Sequence, residues 1–171
     1  YEESGQMKLK VELVPHTVWF SSIYQFLKKN NRLAEWNKIK NELFEREGRQ
    51  CFVCGSRKGT LQAHEFWEYN DEKHIQRLKA IHHLCDLCHK IKHIGFWCYT
   101  ADGRRKLQES GLTRKDLVDH FCRINNCPEL DFEKHVDEAF ETWRIRSRHE
   151  WKQDFGEYEK AVKSDMDSAR D

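Results

Sequence analysis

The sequence lacks any long apolar run and any surplus of one charge. No apolar segment approaches the roughly 20 residues that span a membrane, and no signal-peptide pattern opens the chain. We therefore expect a cytoplasmic protein that makes no membrane contact. Lysine and arginine number 30 against 29 acidic residues, and the resulting net charge of +1 excludes a general polycation. Internal repeats and low-complexity segments are also missing.

Charged and aromatic residues are both abundant. Charged residues make up 35% of the chain, and six tryptophans and ten phenylalanines indicate a packed interior rather than disorder. A length of 171 residues suits one ordinary domain, or a small core with helical additions. Basic residues cluster at 57–58, 90–92, 104–106 and 144–148. Such clusters either bind phosphates or form solvated faces that nearby acids balance.

Four of the seven cysteines form two Cys-x-x-Cys pairs, Cys51 with Cys54 and Cys85 with Cys88. Two such pairs supply the four thiolates of a tetrahedral zinc site. We expect the zinc to be structural, because a closed sulfur shell leaves no position for water. An odd cysteine count without a secretion signal argues against disulfides. Pairs that bracket a histidine-rich segment favour zinc over thiol exchange.

Apolar periodicity predicts a mixed α and β organisation. Strands are predicted over residues 7–14, 60–67 and 75–84. Helices are predicted over residues 17–29, 32–47, 86–94, 113–127 and 131–151. Asp86 is expected to cap the third helix and Gly95 to end it, and Thr113 with Asp116 forms a capping-box pattern. Residues 96–103 are expected to be a loop or a short extended segment.

The predicted elements divide the chain into four segments. Residues 1–50 are an N-terminal strand and helices that pack on a core, and residues 51–95 are that core with its zinc site. Residues 96–156 form a C-terminal helical extension. Residues 157–171 are a loose polar tail.

Histidines concentrate beside the cysteine pairs. His89 and His93 are one helical turn apart, so both rings can hold a second metal ion, although such pairs also occur on solvated helices. His64 lies on the predicted strand 60–67, where it can be brought opposite that helix face. The other isolated histidines are interpreted as ordinary surface or helix residues; these are His16, His74, His120, His135 and His149.

Three segments carry a resemblance to a known family: C-F-V-C at 51–54, L-Q-A-H-E-F-W at 61–67 and L-C-D-L-C-H-K-I-K-H at 84–93. Together they resemble the zinc-knuckle branch of the HNH endonucleases, the ββα-metal nucleases. The resemblance implies an α+β fold with a ββα-metal core inside a mainly helical domain. It also implies metal-dependent hydrolysis of phosphodiester bonds in DNA.

The resemblance implies a role for each histidine of the core. His64 is expected to be the general base that activates water, and His89 and His93 to bind a catalytic Mg²⁺ or Mn²⁺. Ala63 stands where the family has a metal ligand before the base. Two assignments are therefore open: Glu65 replaces that ligand, or His64 is the ligand and Glu65 belongs to the catalytic pair.

The asparagine of the family pattern is also missing, and His82 or His83 can stand in for it. These departures leave an alternative, a catalytically inactive zinc-stabilised module that binds nucleic acid or serves as an adaptor. The nuclease interpretation extends to the nuclease subunit of a bacterial defence or mobile-element assembly. The modest net charge suggests weak affinity for DNA, with a protein partner or a homo-oligomer supplying the rest.

Overall fold

A computed structural model describes residues 7–163. In that range the chain is a mixed α and β protein with eight α-helices and a three-stranded sheet. It divides into two compact units. Among the described residues, unit 1 comprises 7–13, 50–62 and 84–144, and unit 2 comprises 14–49, 63–83 and 145–163. Among residues 7–163, no helix has both the length and the apolar character needed to cross a membrane.

The strands and helices follow the chain in this order. The strands are β1 (Gln62–Asn70), β2 (Ile75–Leu84) and β3 (Lys152–Asp154). The helices are α1 (Ile23–Lys29), α2 (Leu33–Glu47), α3 (Asp86–Lys92), α4 (Ile94–Tyr99), α5 (Ala101–Glu109), α6 (Arg114–Asn125), α7 (Glu129–Arg146) and α8 (Glu159–Lys163). Two short 3₁₀ helices cover His16–Val18 and Gly156–Tyr158.

The sheet of unit 2 has the order β1, β2, β3. A four-residue turn at 71–74 joins β1 to β2, and so short a connection makes this pair antiparallel. β3 runs parallel to β2, with Ile75 opposite Lys152. The predicted strand 75–84 is confirmed, and the predicted strand 60–67 begins and ends two to three residues later. β3 was not predicted, because three residues are too few to show a periodicity.

Helices α1 and α2 supply much of the core of unit 2. Its buried side chains are Ile23, Leu27, Trp36, Ile39, Leu43, Leu78 and Ile81. The predicted helix 32–47 is confirmed, whereas a single helix over 17–29 is wrong. The Ser22 hydroxyl accepts from the Gln25 N–H and the Gln25 side chain accepts from the Ser22 N–H, so α1 begins only after Ser22.

Helices α4 and α5 of unit 1 occupy the segment predicted to be a loop, so that prediction is wrong. Thr100 caps α5 by accepting from the Gly103 N–H at 2.9 Å. A Cβ at Gly103 would lie 1.9 Å from the Phe96 carbonyl oxygen, so the two helices touch where the side chain is smallest. Gly95 lies inside α4 and does not end the preceding helix, which ends at Lys92 with His93 as its C-cap.

Residues 7–14 are not a strand in the described structure. Leu9 and Val11 are buried, as the alternation predicted. Their backbone groups bond to helix side chains instead of a neighbouring strand. Asn125 of α6 pairs with both the N–H and the C=O of Leu9, and Nε2 of His135 on α7 accepts from the Val11 N–H at 2.9 Å.

Helix α6 begins as predicted, because Thr113 and Asp116 form the capping box. Helix α7 starts two residues earlier than predicted and ends at Arg146, five residues before Trp151. Trp151 is buried in unit 2, and its Nε1–H donates to the Arg146 carbonyl at 2.8 Å. Residues 157–163 of the predicted polar tail are helical. The remainder of that tail, residues 164–171, lies outside the described residues.

Candidate metal centre

Cys51, Cys54, Cys85 and Cys88 form one cluster in unit 1, with all four Sγ atoms within 4.8 Å of one another. The Sγ atoms of Cys54 and Cys85, 31 residues apart in the chain, are 3.6 Å apart. Four thiols at this separation can hold a metal ion such as zinc and are compatible with a zinc knuckle. The predicted clustering of the two cysteine pairs is confirmed.

Tight turns hold each pair in place. The Cys51 N–H donates to the Ser56 carbonyl and the Gly55 N–H donates to the Cys51 carbonyl, both at 2.9 Å. Gly55 makes this turn with a φ of +74°, a conformation that glycine adopts without strain. In the second pair, Cys85 rather than Asp86 caps helix α3, because its Sγ accepts from the Cys88 N–H at 3.5 Å. The carboxylate of Asp86 accepts a hydrogen bond from Lys90 instead.

The cluster is electrostatically suited to a cation. Hydrogen bonds from Cys85 and Cys88 hold the pKa of the Cys51 thiol far below its usual range. The hydrogen bond shared with Cys51 raises the pKa of Cys85 to about 12, and the pKa of Cys88 is also raised by its hydrogen bond with Cys51. One thiolate therefore opposes ionisation of its neighbours. A dication removes that penalty, so the donor set fits zinc.

His120 belongs to the surroundings of this centre, and the sequence analysis missed it. Its ring is buried on α6, and its Nε2 lies 3.2 Å from the Sγ of Cys88. Arg123 approaches the other ring nitrogen, Nδ1, at 2.9 Å. Burial and then the charge of Arg123 lower the pKa of His120. No local pattern marks this contact, since 32 residues separate the two partners.

His89 and His93 lie on and just after α3, directly beyond the cysteine cluster in the chain. Their ring centroids are 4.7 Å apart, as their spacing predicted. The Nδ1 of His89 bonds to the Oε1 of Gln62. Because an amide oxygen only accepts, this Nδ1 carries the proton, and the Nε2 lone pair is the one suited to a cation.

In unit 2, His64, Phe66 and His82 form a row of ring contacts. His64 is buried on β1, and its ring meets Phe66 edge to face with centroids 5.2 Å apart. Phe66 makes the same kind of contact with His82 on β2, also at 5.2 Å. The Nδ1 of His82 lies 2.6 Å from a carboxylate oxygen of Glu47. These three rings therefore follow one another along the β1–β2 hairpin.

Glu65 caps a helix. Its carboxylate accepts from the Ile23 N–H at 2.8 Å and from the Tyr24 N–H at 3.5 Å, at the start of α1. Burial raises the pKa of this carboxyl group. Adjacent strand residues point to opposite faces, so Glu65 faces away from the side that His64 occupies. These contacts explain Glu65 structurally and supply no support for metal binding.

His83 is also explained by packing. Its ring stacks on Phe44 with centroids 3.7 Å apart, and its Nε2 lies 3.0 Å from the Lys40 carbonyl oxygen, to which it donates. Burial lowers the pKa of His83. This histidine therefore holds strand β2 against helix α2 within unit 2.

Two of the basic clusters are balanced by acids. In α5, Lys106 lies 3.2 Å from a carboxylate oxygen of Asp102, which also accepts from Arg105. In α7, Arg144 pairs with Glu141 at 2.8 Å. Both clusters fit the interpretation of solvated, balanced faces better than that of phosphate-binding patches.

No family model, curated protein or solved structure matches this chain. Its function is therefore inferred from the cysteine cluster, the histidines and the order of the elements that carry them.

Proposed function

We propose that this chain is a metal-dependent endonuclease of the HNH type that hydrolyses phosphodiester bonds in DNA. The observation that carries the proposal is the order of the elements around the cysteine cluster. Cys51 and Cys54 precede β1, strand β2 follows, and Cys85 and Cys88 open α3. His89 comes directly after the last of these cysteines. A cysteine pair, two strands and a second cysteine pair that opens a helix thus follow one another along the chain in the order that the HNH resemblance implies.

In this proposal the four cysteines hold a structural Zn²⁺. A closed sulfur shell does no chemistry itself, but it holds the first turn of α3 in place. Such a site contributes folding free energy on the order of 10 kcal/mol. His89 follows Cys88 in that turn, so the zinc limits the positions that its ring can take.

We assign His89 and His93 as ligands of the catalytic cation, Mg²⁺ or Mn²⁺. When bound, that ion neutralises negative charge on the scissile phosphate and the departing 3′ oxygen. Gln62 supports the assignment, because its bond to Nδ1 of His89 orients the ring and leaves Nε2 as the nitrogen suited to a cation. The chain thus supplies an oriented histidine beside a rigid helix end.

We assign His64 as the general base. A histidine can take a proton from water near neutral pH. Strand alternation places His64 on the same face of β1 as Gln62, two residues before it, and places Glu65 on the other face. Of the two assignments left open by the sequence, His64 as base is therefore favoured. His82, the second neighbour of Phe66, is the better candidate for the missing asparagine.

The test is cleavage of supercoiled plasmid with Mg²⁺, with Mn²⁺ and with EDTA. His64→Ala and His89→Ala are compared with His16→Ala, a change at an exposed histidine of a 3₁₀ helix. We expect metal-dependent nicking by wild type and by the control. The loss at His64→Ala should be roughly 100- to 10,000-fold, as for a removed general base. Circular dichroism and zinc content establish that each variant is folded.

Two outcomes would redirect the proposal. Cleavage that survives in His64→Ala but fails in a folded Glu65→Ala would move the base to Glu65. A zinc-loaded wild type that cuts neither duplex DNA, single-stranded DNA nor RNA would favour the alternative, a zinc-stabilised nucleic-acid-binding or adaptor module.

The proposal includes a partner. A net charge of +1 and the paired cations of α5 and α7 support weak, salt-sensitive binding of DNA by the isolated chain. A protein partner, or further copies of this chain, then supplies the remaining affinity, as in a nuclease subunit of a defence or mobile-element assembly. Tight DNA binding that persists at high salt would overturn this part.

A further inference from the structure

The contact between His120 and Cys88 links α6 to the second cysteine pair. The Nε2 of His120 lies 3.2 Å from the Cys88 sulfur, and both side chains are buried. The Nδ1 of the same ring lies 2.9 Å from a terminal guanidinium nitrogen of Arg123. Arginine, histidine and cysteine therefore form a short line that ends on a candidate zinc ligand.

The chemistry of arginine fixes the position of the histidine proton. A guanidinium group only donates hydrogen bonds, so Nδ1 of His120 must accept. A neutral imidazole that accepts at Nδ1 carries its proton at Nε2. That proton points at the Cys88 sulfur, which is the acceptor.

We propose that His120 is a positioning residue of the zinc site, which donates its Nε2–H to the Cys88 thiolate while Arg123 holds the ring in that tautomer. The inference rests on the proposed structural zinc. It goes beyond the nuclease assignment, because it names a residue outside the segments that resemble the HNH family.

The physical reason lies in the charge of the loaded site. Four thiolates carry more negative charge than one dication cancels, and the centre is largely buried. Hydrogen bonds to sulfur disperse that excess. Cys51 and Cys85 each accept a backbone N–H of their own pair, at 3.5 Å. In the same way, the imidazole of His120 donates a hydrogen bond to the sulfur of Cys88.

The first measurement is the tautomer itself. Long-range ¹H–¹⁵N spectra of the zinc-loaded full chain distinguish an imidazole protonated at Nε2 from one protonated at Nδ1. We expect the Nε2–H form for His120. An Nδ1–H form, or a doubly protonated ring, would overturn the inference.

The second measurement is the rate of zinc transfer to a chromogenic chelator under reducing conditions. His120→Leu removes the donor, and His120→Gln keeps an N–H at a similar reach. Loss of such an outer partner typically weakens metal binding by roughly 10- to 100-fold, so we expect zinc release from His120→Leu to be faster by about that factor. His120→Gln should restore much of the retention.

The matched control is His135→Leu, a loss of another histidine of unit 1 that bonds to Val11 instead of sulfur. It should leave zinc release unchanged. Replacement of zinc by Co²⁺ adds a readout that packing does not move: the sulfur-to-cobalt absorption should shift in His120→Leu and stay at its wild-type energy in His135→Leu. Equal shifts in both variants, or none, would count against the inference.

The failures can be told apart. A wild-type chain that binds no zinc at its four cysteines would remove the proposed zinc site itself. One zinc per chain, held equally well by wild type and His120→Leu, would remove the role of His120 alone. Neither measurement depends on plasmid cleavage, so both can be interpreted whether or not the chain is a nuclease.

Discussion

The two units of this protein hold their structure in different ways. In unit 1, four cysteines from two chain segments form a single cluster, and the helices of this unit come after Cys85 in the chain. Unit 2 spreads its stability over an apolar core, ring contacts and individual hydrogen bonds. A substitution in the cysteine cluster of unit 1 should therefore lower the free energy of unfolding far more than a substitution at most positions of unit 2.

The largest effect is expected at the cysteines. Cys85→Ser removes one of the four proposed zinc ligands but keeps a hydroxyl that can still cap α3. Stoichiometric zinc should therefore be lost, and several of the roughly 10 kcal/mol that such a site contributes should be lost with it. Zinc content and hydrogen exchange resolved by segment measure both effects, with fast exchange expected in residues 84–92. Cys127→Ser, a half-buried thiol outside the cluster, is the control and should retain zinc.

A substitution at a close helix contact away from the cysteine cluster tests whether the stability of unit 1 depends on that cluster alone. Gly103→Ala places a Cβ against the Phe96 backbone, which cannot move as a flexible side chain would. Forcing α4 and α5 apart should lower the free energy of unfolding by about 1–3 kcal/mol while zinc is retained. Gly95→Ala is the comparison, because its Cβ would meet the end of the Leu13 side chain at 2.9 Å. Equal losses in the two variants would contradict the explanation.

Glu65 offers the sharpest single test in unit 2. Glu65→Ala removes the acceptor at the start of α1 and should cost about 0.5–2 kcal/mol of unfolding free energy, as for other helix caps. Denaturant unfolding measures the loss, and zinc content should not change. An unfolding free energy that stays at the wild-type value would show that the carboxylate does not cap α1.

The pH dependence of the same residue follows from its environment. Burial raises the pKa of Glu65 in the folded chain above its ordinary value of 4.5. The folded state then binds this proton more tightly than the unfolded state, so the stability due to protonation is present below pH 4.5 and is lost as the pH rises through the folded pKa. Glu65→Gln removes this titration. The stability of wild type relative to Glu65→Gln should therefore fall as the pH rises above 4.5, and a rise would contradict the assignment.

The smallest effect is expected on the surface of unit 2. Arg146 bonds through two nitrogens to Asp71, at 2.7 and 2.9 Å, and lowers the pKa of that carboxyl group. Because Asp71 is 61% exposed, Arg146→Gln should cost only roughly 0.2–1 kcal/mol in unfolding free energy. The stability that it contributes should vanish as the pH falls through the lowered pKa of Asp71. If Arg146→Gln lowered the unfolding free energy as much as Cys85→Ser, the proposed difference between the two units would be contradicted.

Local patterns predicted the elements whose cause is local. The strand 75–84, the helix 32–47 and the capping box of Thr113 were confirmed, because alternation, helical spacing and cap chemistry operate within a few residues. The prediction of a loop over 96–103 was wrong because tertiary packing decides the conformation of this segment. Gly103 allows two helices to pack closely, and no apolar periodicity predicts that contact. The roles of His64, His89 and His93 stay predictions, which the plasmid assay tests.

The sequence by itself determined which cysteines gather, because the two Cys-x-x-Cys pairs form their turns locally and share one preferred geometry. Tertiary structure alone decided where other polar groups find partners. Glu65 meets α1 at a separation of 42 residues, His120 meets Cys88 at 32, and Leu9 meets Asn125 at 116. A hydrogen bond constrains two atoms wherever they lie in the chain, and a residue's neighbours in sequence carry no record of a partner that folding brings from elsewhere.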